Sequence, residues 1–286
     1  MKMTMRKIFL VMITAFMLSA CSMKTIYNQL DWIAADYLGN FVDLSEAQEE
    51  QLHKHLAATL KWHRDTQLQT YADWLQKVKK DVQSGLTKKK VVQGTQEMQD
   101  AWNRLMIRFA DDMAGVLPGL SKEQQQELFD GFKSKNEEYK EERVEISKEE
   151  QLEKTTERLT DGLKNWIGEV HPDQEKLVAA AAKKLKPLAS ESLQTRQRWQ
   201  AKLKSIIENH KNKKSTRNAL RSLFAKPELL RSENYKNLLA HNKNVIEELI
   251  VSIAKTLTFE QEHYYYSRLD YWSDFFTDLA MEGKAG

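Results

Sequence analysis

Apolar positions recur every three or four residues along almost the whole chain, and no window alternates with the period of two that a half-buried strand requires. The pattern predicts an all-α fold, long antiparallel helices forming an elongated bundle. A first helix is expected over 25–38, with Ile26, Leu30, Ile33 and Tyr37 on one face and Gly39-Asn40 closing it. The next opens at Leu44-Ser45 and carries Leu52, Leu56, Leu60, Tyr71, Trp74 or Leu75, Val78 and Val82 to Ser84-Gly85. Unbroken, those residues would span roughly 60 Å at ~1.5 Å per residue. A third helix starts at Leu86-Thr87. Its Val91, Thr95, Met98, Trp102, Leu105, Phe109, Met113 and Val116 step mostly by four and three, like a coiled-coil seam, until Pro118-Gly119. A long charged helix follows from Leu120-Ser121 to Trp166 and breaks at His171-Pro172-Asp173. Leu177 to Leu185 continue until Pro187 kinks or ends the run. Trp199, Leu203, Ile206 and Ile207 mark another helix that runs into the polar stretch 209–216, and two C-terminal helices are expected over 234–256 and 258–281.

Three of these openings share a form: Leu44-Ser45-x-x-Gln48, Leu120-Ser121-x-x-Gln124 and Leu257-Thr258-x-x-Gln261. Each reads as a capping box, in which the hydroxyl takes the N3 amide and the glutamine reaches back to the cap's own N–H. The openings also resemble the LTxxQ motif of small periplasmic helical chaperones and stress-response regulators. That resemblance implies a client-holding or stress-sensing role. Composition agrees with long helices: 10 Gly and 4 Pro make about 5% of the chain, against an average near 12%.

The N-terminus has a different logic. Lys2, Arg6 and Lys7 precede an apolar run from Ile8 to Met17, which ends in Leu18-Ser19-Ala20-Cys21. A charged start, a short apolar stretch and small residues before a cut make a signal peptide over 1–20. The run is shorter than the ~20 residues a permanent membrane span needs. Leu-Ser-Ala-Cys resembles the lipobox of bacterial lipoproteins, which implies that Cys21 becomes the acylated N-terminus of the mature chain. Ser22 in the following position implies export to the outer membrane. The segment Tyr27-Asn28-x-Leu30-Asp31-Trp32, with Tyr37, Asp43-Leu44, Gln48, Trp62-His63-Arg64, Leu68 and Tyr71, resembles an all-helical family of Gram-negative lipoproteins known by a domain of unknown function. The implied protein is lipid-anchored on the outer membrane and faces the periplasm.

Charge then needs recounting. The chain has 44 basic and 41 acidic residues, and three of the bases lie within 1–20, so residues 21–286 balance at 41 each. The balance is sorted along the chain. Residues 123–157 hold twelve acids and six bases. Residues 196–221 hold nine bases, among them Lys202, Lys204, Lys211, Lys213, Lys214 and Arg217, against Glu208 alone. The basic stretch reads either as a surface for an anionic partner (phospholipid heads, lipopolysaccharide phosphates or an acidic envelope protein) or as a solvated face matched to the acidic helix. Residues 21–286 are expected to form a single helical domain, with a break near 186–216 dividing two lobes if lobes exist, monomeric or weakly associating.

Catalytic signals are sparse. No His-Glu-x-x-His, phosphate loop or nucleophile elbow occurs, and the lipobox resemblance implies that the single Cys is acylated and not free as a nucleophile. Glu50-x-x-His53 and Glu260-x-x-His263 match a di-iron spacing, but both fall in first helical turns, where acids are favoured anyway. His63 and Arg64 with Asp31 or Asp36 could form a small polar site for an envelope-polymer enzyme, or a hydrogen-bond network docking the first helix on the second. In the last helix Tyr265, Leu269, Trp272, Phe276 and Leu279 make a core stripe, which Tyr264, Tyr271 and Phe275 widen. That helix is either covered on several sides or offers a sticky groove to a partner. The expectation is a non-enzyme in an envelope binding, scaffolding or maintenance role. Its only prosthetic group is the lipid on Cys21, with no metal and no nucleic acid.

Overall fold

The computed structural model describes residues 23–209 and 212–285. All the regular structure among them is helical. Residues 23–28 form a helical turn, followed by α1 (Leu30–Gly39), α2 (Glu46–Thr66), α3 (Leu68–Gln83), α4 (Lys88–Val116), α5 (Lys122–Tyr139), α6 (Lys148–Ile167), α7 (Pro172–Lys184), α8 (Ala189–Glu208), α9 (Lys213–Ala225), α10 (Glu233–Ala254) and α11 (Phe259–Ala285). Side-chain caps set most starts: Thr87, Ser121, Ser147, Asn212, Ser232 and Thr258 each accept an N–H from the first turn.

Helix α4 is the spine, touching α2, α3, α9 and α10. Its last third packs Ala110 against Leu203, Ile207, Leu220 and Leu223 of α8 and α9. Its C-terminal end packs Met113 and Val116 against Ala35, Leu52 and Leu56. A second core joins α6, α7 and α10 through Ile167, Val178, Ala181, Val245, Leu249 and Ile253. Helix α11 bridges the two regions. Its first turns meet α6, where Tyr265 lies edge-on to Trp166 at 6.0 Å, and the rest lies along α3 and α2 with Leu269 and Leu279 fully buried. Each such leucine contributes about 1.5–3 kcal/mol by leaving water.

The expected openings are present, and they meet in pairs. Gln48 accepts its own cap's N–H from Ser45 at 2.9 Å, as Gln124 does from Ser121 at 2.9 Å. The two amides then donate to each other's oxygens at 3.0 and 2.7 Å, and to the carbonyls of Gly119 and Asp43 in the facing loops. Gln261 repeats this arrangement with Gln174, a fourth box opened by His171. The two amides exchange hydrogen bonds at 2.8 Å each and reach the carbonyls of Glu169 and Thr256. One pair locks α2 to α5, and the other locks α7 to α11.

Several expectations need correction. The first helix is interrupted at Gln29, and its stripe Ile26, Leu30, Ile33 and Tyr37 faces outward, 46, 40, 47 and 62% exposed. Tyr27, Ala34, Ala35 and Leu38 pack instead, because the small residues allow closer approach to α2 and α4. The second helix turns at Gln67, whose side chain is buried and accepts a hydrogen bond from Arg104 Nε at 2.9 Å. The long charged helix is broken by a π-helical turn (Lys140–Val144), after which Ser147 caps a new helix through Glu150 N–H at 3.0 Å. Within the seam of α4, Met98 and Trp102 are exposed and Ala101 is buried in their stead. Part of the polar stretch after Asn209 is helical: α9 is capped by Asn212, starts at Lys213 and buries Thr216, Leu220 and Leu223.

Candidate functional site

The polar site expected around His63 exists as a contact between the first turn and α2. Spacing along α2 carries His63 inward next to Leu60, where its Nδ1 lies 3.0 Å from the Tyr27 hydroxyl and its ring 5.4 Å from that of Tyr71. Arg64, one position on, donates to Asn28 Oδ1 at 2.7 Å, with its guanidinium 5.4 Å from the Tyr27 ring centre. Gly283 of α11 closes the far side: a Cβ there would stand 2.7 Å from Arg64 Cδ. Beside it Lys24 and Glu282 form an ion pair. Asp31 and Asp36 are not joined to His63 or Arg64 by any hydrogen bond or ion pair among the described residues. The partners in their place are Tyr27 and Asn28.

Burial sets the electrostatics of this cluster. It drives the His63 imidazole down to about 4 and pushes the Tyr27 phenol up to about 12 against the pull of Arg64. Both groups are neutral across the physiological range. A general base works best with a pKa near the working pH, and His63 lies well below it. The arrangement binds one helix to another and does not suit proton transfer.

A second polar cluster went unread in the sequence. Asp112 of α4 is 2% exposed and accepts a hydrogen bond from Thr59 Oγ1 of α2. Arg108 Nε donates to that same hydroxyl at 3.0 Å, and His55 Nδ1 stands 3.5 Å from Asp112 Oδ1. A Cβ at Gly115 would meet His55 Nε2 at 2.6 Å, so only glycine fits there without displacing the ring. Burial raises the Asp112 carboxyl above its ordinary range, opposed by Thr59, Arg108 and His55. A histidine, a carboxylate and a hydroxyl are the parts of a nucleophilic triad. Here, however, the hydroxyl faces the carboxylate and not the imidazole, so the histidine is not set to activate it as in a triad. The sequence signal was a single one: Asp112 interrupts the apolar stripe between Phe109 and Met113.

The remaining candidates lie apart. On α11, Tyr271 stacks edge-on with Trp272 at 5.3 Å, and Phe275 joins the core around Tyr27, Leu68 and Leu279. Tyr264 lies over Gly168 and is 41% exposed, the most open of the three. On the basic stretch, Arg217 stands 3.8 Å from Asp111, which Arg221 grips with two bonds of 2.6 and 2.7 Å. Lys204 lies 5.6 Å from the Phe129 ring centre and 3.9 Å from Glu208. Lys202, Lys213 and Lys214 project into solvent. Among the described residues the acidic α5 and basic α8 meet without an ion pair, through Arg196 on the Tyr139 ring at 4.5 Å and the amides of Asn136 and Gln200. Cys21 and Lys211 lie outside the described residues.

Glu50 and His263 are exposed, and the His53 ring packs on Trp32 at 3.9 Å. Among the described residues no three His, Cys, Asp or Glu side chains group as metal ligands, and no helix is long and apolar enough to cross a membrane. No curated protein and no solved structure matches the chain. Residues 40–236, which hold both polar clusters apart from Tyr27, Asn28 and Gly283, match a family of unknown function, DUF6279, and the chain belongs to that family.

Proposed function

We propose that residues 21–286 are a lipoprotein anchored in the outer membrane through acylated Cys21, facing the periplasm, with a non-catalytic binding or scaffolding role. The observation that carries this reading is Leu18-Ser19-Ala20-Cys21 at the end of a short apolar run. Two acyl chains suffice for stable anchoring.

The fold supports it. Tyr27 is 8% exposed and held by His63, only six residues after Cys21. Six residues reach about 20 Å at most, so an anchored body sits against the bilayer. The outward stripe of Ile26, Leu30, Ile33 and Tyr37 begins in that same stretch. An apolar helix face beside a lipid anchor suits the headgroup boundary, where aromatic side chains are favoured. The non-catalytic part rests on the two closed polar clusters, both spent on joining helices.

Labelling with radioactive palmitate, followed by membrane fractionation, tests the reading. Wild type should take up label and sediment with the outer membrane, and Cys21→Ala should do neither. Label retained by Cys21→Ala, or wild type recovered as soluble protein, would overturn it.

A further inference from the structure

The break between α5 and α6 creates a groove that no sequence pattern announced. The π-helical turn and the first turns of α6 form one wall, and the end of α7 with residues 185–189 forms the other, enclosing about 960 Å³. Asn242 of α10 fixes the second wall by gripping the Lys186 backbone on both sides, N–H and C=O each at 2.8 Å. The floor is aliphatic: Ile146, Leu152, Ala182, Leu185 and Leu188. The rim is basic. Arg143, Lys148, Arg158, Lys183 and Lys186 line it, and none of the five has an ion-pair partner among the described residues. Glu142 is the one acid in the lining.

This differs from the basic stretch at 196–221, where Arg217, Arg221 and Lys204 are already matched by acids. Five unpaired cations gathered around an apolar floor repel one another and attract an anion more strongly than the same charges spread in water. The volume is of small-molecule size. A peptide would bring backbone N–H and C=O groups onto an aliphatic floor between helix sides, whose own backbone groups are bonded internally, and unpaired polar groups are costly there. An acyl chain brings none.

We propose that this groove binds one molecule of anionic phospholipid, its phosphate held by the Arg143, Arg158, Lys183 and Lys186 rim and its acyl chains lying along Ile146, Leu152 and Leu188. The site is independent of Cys21 and does not require the lipid anchor.

Calorimetric titration of the full chain with dihexanoyl phosphatidylglycerol, dihexanoyl phosphatidylcholine, inorganic phosphate and an oligoglutamate peptide tests the proposal. Phosphatidylglycerol should bind at one site, with the other three weaker by about tenfold or more. Arg143→Glu with Arg158→Glu should weaken phosphatidylglycerol by about tenfold or more, since two charge-assisted contacts are lost. Both arginines are exposed, so helical circular dichroism should stay unchanged; Lys183→Glu with Lys186→Glu gives a second, independent pair on the opposite wall. Equal binding of phosphatidylcholine, phosphate or oligoglutamate would overturn the assignment, as would wild-type binding by both charge-reversed pairs. Cys21→Ala should bind phosphatidylglycerol as wild type does, which separates this site from the anchor: a failed palmitate experiment leaves the groove standing, and a failed titration leaves the anchor standing.

Discussion

The two glutamine pairs are chemically the same joint in two settings. In each, two capping glutamines satisfy their own helix starts and then bond to each other and to the facing loop. Gln174 and Gln261 are 1 and 3% exposed, whereas Gln48 and Gln124 are partly open to water. The difference teaches what a polar joint is worth. In water a lost amide partner is replaced by solvent, but in the interior the surviving partner keeps its desolvation cost and gains nothing.

Four experiments break or sharpen that contrast. The largest effect is expected at Asp112, where the buried joint is charged: Asp112→Ala leaves the Thr59 hydroxyl without its acceptor and Arg108 without the opposite charge it faces at 3.8 Å. Urea unfolding should show a loss of about 3–5 kcal/mol, and a loss below that of the glutamine variants would show the carboxylate to be a weak joint. Next, Gln174→Ala or Gln261→Ala should each cost about 1–3 kcal/mol, and the double variant less than their sum, because the second change removes an already orphaned group. Gln48→Ala and Gln124→Ala should cost less, about 0.5–1.5 kcal/mol each. Equal losses at the two joints would refute the role assigned to burial.

The fourth test changes pH and should leave the contrast between the joints alone, since amides do not titrate. Total stability should still move. The His63 imidazole takes a proton near 6.5 when unfolded and near 4 when folded, so the unfolded state binds more protons between those values. Stability is therefore fully present above about pH 6.5 and falls as pH drops toward 4. The raised Asp112 carboxyl acts in the opposite sense, adding stability as pH falls into the carboxylate range. Thermal melts across pH 7 to 4 should show a slope that flattens in His63→Gln. A slope unchanged in that variant would assign the effect to another group.

How much of this was legible follows from what each signal is made of. Three of the four capping boxes could be read directly, because Ser or Thr followed by Gln three positions later is a local signature. Their pairing could not, since residues 76 and 87 positions apart must be brought together first. The box at His171 was hidden by its unusual cap residue. The break before Ser147 was masked because Tyr139, Ile146 and Leu152 keep the apolar period going across it. Helix α9 was hidden by its polar content, although Thr216, Leu220 and Leu223 hold the stripe. The first helix shows the converse limit: periodicity reveals an apolar face without saying what covers it. Ile26, Leu30, Ile33 and Tyr37 share such a face, and the body does not bury it. His63 was found because Leu52, Leu56 and Leu60 point to it, whereas the His55–Asp112 cluster offered one aspartate out of pattern.

The stitch between Lys24 and Glu282, with Gly283 seated on Arg64, has a consequence for anyone extending this protein. Residues 24 and 282–283 therefore share one corner of the body. If Cys21 carries lipid, a reporter domain fused after the last residue would hang on the membrane side and crowd the bilayer. One inserted at the α3–α4 turn, around the exposed Gly85, would avoid that corner.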